Sequence, residues 1–85
     1  MNSAKSTTLT SAKAIAAAGK GIYDRLFRAD YEKQHAGKFV AIDVTAESAT
    51  LGASSSETLL RARAANRDGL FHLIRVGHPA AFEIR

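Results

Sequence analysis

The sequence contains no cysteine. Disulfides, thiolate metal sites and cysteine nucleophiles are therefore excluded. Tryptophan is absent too, and Phe and Tyr together supply six aromatic residues, so any core must be mostly aliphatic. The single proline, Pro79, leaves everything before it free of that breaker. No apolar run approaches the roughly 18–20 residues that a membrane span needs. Acidic residues are missing from positions 1–22, which carry Lys5, Lys13 and Lys20.

What is present suffices for one small domain. The chain has 85 residues, 46% of them hydrophobic. A chain of this size buries only about 60–65% of its unfolded surface. The formal charge of +4 is unevenly placed. Residues 23–85 carry nine basic and eight acidic residues, so the body is nearly neutral and the start is basic. A nucleic-acid-binding domain concentrates its charge on a folded face instead. The start also lacks arginine and a continuous apolar stretch, and so fits neither a transit nor a secretory signal well. It reads as a solvated end, or as an electrostatic arm for an acidic partner.

Residues 1–10 are polar and of low complexity, and a disordered basic leader is expected there. An N-terminal helix is expected over 11–35, with Ser11 or Thr10 as its cap. Ala12, Ile15, Gly19, Ile22, Leu26 and Ala29 recur at steps of three and four, a helical seam. Tyr23, Phe27 and Tyr31 form a second stripe beside it. Gly19 and Gly21 weaken the first half, at about 1 kcal/mol each. Gly37 fits the glycine position after a helix end.

Residues 36–85 are expected to form a ββαββ unit. Residues 38–44 alternate as a strand, with Val40, Ile42 and Val44 on one face. A polar turn leads to a partner strand at 49–52. Ser54 and Glu57 have capping-box spacing and open a helix over 55–67. Residues 70–76 form a third strand, apolar on both faces. Residues 81–84 close the chain as an edge strand, after a turn at Gly77-His78-Pro79. The fold class is α+β, with a mainly antiparallel sheet.

Two segments carry a resemblance. They are Tyr23-Asp24-Arg25-Leu26, continuing through His35-Ala36-Gly37-Lys38-Phe39-Val40-Ala41-Ile42-Asp43, and Arg75-Val76-Gly77-His78. They resemble a family of short bacterial proteins of unknown function, with a G-K-[FY]-V-A-I-D segment and an R-[IV]-G-[YH] ending. Genes of that family often lie beside one for a small retropepsin-like aspartic protease. Here the segment after Asp43 lacks the family's Thr-Gly turn, and Asn66-Arg67-Asp68-Gly69 replaces its Arg-Pro-Asp. The resemblance implies a small accessory protein with a protein partner, and it brings no catalytic residues.

The residues themselves carry no catalytic constellation. Asp43 lacks the glycine turn of an aspartic protease half-site, which brings two carboxylates together, and reads as a hairpin-stabilising or surface residue. His35, His72 and His78 match no metal-ligand spacing. Ser54, Ser55 and Ser56 suit capping, and no nucleophile elbow surrounds them. Gly19-Lys20-Gly21 is too short for a phosphate loop. No cofactor, metal, membrane or small-molecule substrate is expected. The expected role is that of a non-enzymatic, cytoplasmic accessory or adaptor subunit. It would bind a protein partner, or form a homo-oligomer, through the N-terminal helix and a sheet edge. The candidate partner-binding residues are Ile22, Tyr23, Leu26, Phe27 and Tyr31, since one helix is expected to be short of room to bury both stripes on a small sheet. The alternative is a nucleic-acid-binding regulator using Lys13, Lys20, Arg61, Arg63 and Arg67. Arg61 and Arg63 diverge on a helix, which weakens that patch.

Overall fold

In the computed structural model, residues 11–77 are described; the leader at 1–10 and the strand expected at 81–84 lie outside them. The N-terminal helical segment runs without interruption from Ala12 to Gln34, in three parts. These are α1 (Ala12–Ile22), a π-helical turn (Tyr23–Phe27) and α2 (Arg28–Gln34). Ser11 caps α1, its hydroxyl accepting from the Ala14 N–H at 3.1 Å. The two glycines do not break the helix. Gly37 ends the segment's exit turn at φ +89°, the left-handed conformation that favours glycine.

The π turn was not visible in the 3–4 spacing. Its mark is the Arg28 N–H bonding back to the Tyr23 carbonyl, five residues earlier. The extra residue rotates the helix face. The seam expected through Leu26 and Ala29 therefore stops at Ile22. The Tyr23–Phe27–Tyr31 stripe takes over its place against the sheet, and Leu26 is turned out, 49% exposed.

The sheet has three described strands, β1 (Phe39–Asp43), β2 (Ser48–Gly52) and β3 (Phe71–Arg75), in the order β2-β1-β3. Both pairings are antiparallel, with Val40 opposite Leu51 on one side and Ile74 on the other. This is an α+β fold with element order helix, strand, strand, helix, strand. A fourth strand is not among the described residues.

Strand alternation sends the two helices to opposite faces. Val40, Ile42, Ile74 and Val76 form the core with Ile22 and Tyr23. The opposite face carries Ala41 and Gly52, and α3 (Ser55–Ala65) covers it, burying Thr58 and Ala62. Both faces of the sheet are covered. That explains why β3 is apolar to both sides. Two close approaches set the layer spacing. A Cβ on Gly19 would lie 2.5 Å from the His72 Cβ, and one on Gly52 would lie 2.3 Å from the Thr58 hydroxyl.

Asp43 ties the hairpin to α3. It is 3% exposed. Its Oδ1 accepts from the Thr45 N–H at 3.0 Å, the Thr45 hydroxyl at 2.6 Å and the Ala46 N–H at 3.3 Å. Its Oδ2 accepts from the Asn66 amide at 2.7 Å. The hairpin-stabilising reading of Asp43 thus holds, at a buried rather than a surface position.

Candidate functional site

The site is built from one strand edge and one side of the N-terminal helix. The Val44 N–H donates to the Leu70 carbonyl at 2.9 Å, and the Val76 N–H to the Lys38 carbonyl at 2.8 Å. In an antiparallel ladder the residues that exchange bonds with one neighbour alternate with those that face away. Leu70, His72, Ile74 and Val76 therefore face β1. The backbone groups of Phe71, Leu73 and Arg75 point to the outer edge. Among the described residues no strand lies beyond that edge. The opposite edge, at β2, is partly occupied, because Arg61 donates to the outward Leu51 carbonyl at 3.2 Å.

Beside the β3 edge runs a cleft of about 210 Å³. Its floor is His72, Leu73 and Ile74, and its wall is Ala16, Ala17 and Tyr23. Four charged residues of the helix, Lys20, Asp24, Arg28 and Glu32, complete the lining. They stand four residues apart and alternate in sign. Lys20 pairs with Asp24 at 3.0 Å, and Arg28 with Asp24 at 3.6 Å and with Glu32 at 3.2 Å. These are exposed pairs, so each adds only about 0.3–0.5 kcal/mol to the helix. Their importance lies in the pattern they present along the cleft.

Tyr23 is 3% exposed, and its hydroxyl is buried with no hydrogen-bond partner. An unsatisfied buried hydroxyl costs about 1–3 kcal/mol. Burial, and then the Glu32 carboxylate, push its phenol pKa up, against the opposing effect of Arg28. It therefore stays protonated. His72 is half-buried, and desolvation holds its imidazole below the usual histidine range. It is neutral at pH 7.

The structure separates the five candidate partner-binding residues. Ile22 and Tyr23 belong to the chain's own core, and Phe27 and Tyr31 are half-buried against it. Tyr31 bridges an aromatic row, with ring centroids 5.4 Å from Phe27, 5.4 Å from His35 and 6.4 Å from Tyr23. Leu26 is the one exposed member, and Tyr23 the one that lines the cleft.

The basic candidates are not gathered on one surface. Lys13 and Lys20 are on α1, and Arg61 and Arg63 on α3, across the sheet. Arg61 is engaged by Glu57 at 2.8 Å. Arg63 and Arg67 are exposed. Among the described residues, no group of three His, Cys, Asp or Glu gathers as a metal site. No described helix is long and apolar enough to cross a membrane.

The alternating charges were missed in the sequence. The four-residue spacing of Lys20, Asp24, Arg28 and Glu32 was there to be found, but their common cleft depends on where β3 lies. No family model, curated protein or solved structure matches this chain significantly.

Proposed function

We propose that this protein is a non-enzymatic, cytoplasmic accessory or adaptor subunit that binds protein through its N-terminal helix and its β3 edge. The observation that carries the reading is the cleft between them. β3, outermost among the described strands, has outward backbone groups at Phe71, Leu73 and Arg75, which suit strand addition. The adjoining cleft offers an apolar wall. Leu26 adds an exposed apolar side chain on the same helical segment. The resemblance to a family of short bacterial proteins of unknown function, which implies a protein partner, points the same way.

The test is reconstitution. A protein that co-purifies with the full chain from its native source is prepared separately, and its binding is measured by calorimetry. Leu26→Asp or a block at the β3 edge is expected to weaken binding while far-UV circular dichroism stays unchanged. Binding indifferent to both changes would overturn the reading. The nucleic-acid alternative predicts binding that falls steeply with salt and is lost in Arg63→Glu with Arg67→Glu. The division of the basic residues between two faces disfavours it.

A further inference from the structure

The alternating stripe on the cleft has a property that a helix of one sign would lack. In order it reads Lys20 plus, Asp24 minus, Arg28 plus, Glu32 minus. Laid antiparallel against a copy of itself, Lys20 meets Glu32 and Asp24 meets Arg28. Every pair is then of opposite sign. The strand beside it is self-complementary in the same sense. A two-fold axis through Leu73 would place Phe71 opposite Arg75 of the copy. All three residues have outward backbone groups, so each pair would be a hydrogen-bonded one. Both features suit an antiparallel two-fold relation, and both line one cleft.

We infer that the β3 edge and its cleft take a second copy of this chain. The two β3 strands pair antiparallel about Leu73, and the two Lys20–Glu32 stripes face each other across the joint. This rests on the preceding reading for the choice of surface. It names the occupant of the edge and leaves the Leu26 side for a different protein. The arrangement is isologous, the commonest form of closed assembly. It pairs an edge that no strand covers among the described residues, and an unpaired edge is a liability for uncontrolled pairing. It also covers the cleft.

Sedimentation and amide hydrogen exchange on the full chain test this together. The wild type is expected to sediment as a dimer. Its Leu73 and Arg75 amides should be protected at high concentration and lose protection on dilution, while the Val76 amide stays protected throughout. Leu73→Pro removes an N–H that β1 does not use, and proline is tolerated on an edge strand. That variant should be a folded monomer. A second variant guards against a misfolded proline mutant: Lys20→Glu, Asp24→Lys, Arg28→Glu and Glu32→Lys together. It keeps the alternation within one helix and with its own copy, but opposes like charges across a mixed dimer. It should form homodimers, and mixed dimers with wild type should fall well below the fraction random pairing gives.

A wild-type monomer at all concentrations would overturn the inference. So would Leu73 and Arg75 amides protected in the monomer, which would mean that residues beyond Gly77 cover the edge. Free mixing of the two charge patterns, or a dimer abolished by Leu26→Asp but not by Leu73→Pro, would overturn it as well. None of these outcomes bears on whether a different protein binds at Leu26, so the two readings can fail separately.

Discussion

Two glycines of α1 make opposite demands at the scale of single residues. Both weaken the helix by about 1 kcal/mol relative to alanine. Gly21 is exposed, with nothing within 4 Å of an added Cβ. Gly21→Ala is expected to stabilise the fold by about 0.5–1 kcal/mol, read from urea denaturation. At Gly19 the added Cβ would lie 2.5 Å from the His72 Cβ, the root of that side chain rather than its flexible end. The helix must then lift from β3, and overpacking of this kind costs about 1–3 kcal/mol. Gly19→Ala should therefore destabilise despite its better helix propensity. Equal effects of the two substitutions, or Gly19→Ala the more stable, would contradict the packing argument. Asp43 gives a pH signature at the same scale. Burial raises its pKa, but hydrogen bonds from Thr45, Asn66 and the Ala46 N–H outweigh burial and hold it below the usual carboxylate range. A carboxyl depressed in the fold contributes stability above its unfolded pKa of about 3.9, lost as pH falls through the folded value. Asp43→Asn should destabilise the chain at pH 7, and the gap to wild type should narrow below about pH 4. His72 acts earlier in an acid titration. Its folded pKa is lowered by desolvation, so stability begins to fall below about pH 6.5 as the unfolded chain takes up a proton first.

At the scale of elements, the legible features were those written in local chemistry. Ser54 accepts from the Glu57 N–H at 3.2 Å, the cap expected from the spacing. Glu57 departs from the reciprocal box: its carboxylate reaches the Ala53 N–H at 3.2 Å, one residue before Ser54. Ser54→Ala should cost about 0.5–2 kcal/mol, measured by thermal or urea melts, whereas Ser55→Ala and Ser56→Ala should stay within about 0.5 kcal/mol. Loss at Ser55 instead would move the helix start. The strand at 39–43 and its hairpin were legible because Val40 and Ile42 alternate with Ala41 and Asp43. The π turn was not, because a single extra residue changes the seam's phase without changing any residue type. Ile22 to Leu26 and Tyr23 to Phe27 are both steps of four, and nothing local says which pair faces the sheet. The packing of Tyr23 beneath the helix decides it, and that is a tertiary fact.

At the scale of the whole molecule, two faces of one small sheet are served by two helices, and most of the surplus apolar surface inferred from the sequence is absorbed that way. Ile42 and Val40 are fully buried at its centre. Ile42→Ala should cost about 2–5 kcal/mol, a large share of the roughly 4–13 kcal/mol that a chain of this length commands. What the second helix does not cover is the outer edge of β3, beyond which no strand lies among the described residues. If a second copy closes that edge, folding and association are one equilibrium, and stability depends on protein concentration. The wild-type melting temperature should then rise as concentration is raised, and that of Leu73→Pro should not. Leu26→Asp, which alters the helix away from the edge, should keep the wild-type dependence. Differential scanning calorimetry at several concentrations reads all three. A wild-type melting temperature independent of concentration, in a range where sedimentation finds the dimer, would mean that the dimer adds nothing to the fold. The edge pairing would then have to be a contact between already complete domains.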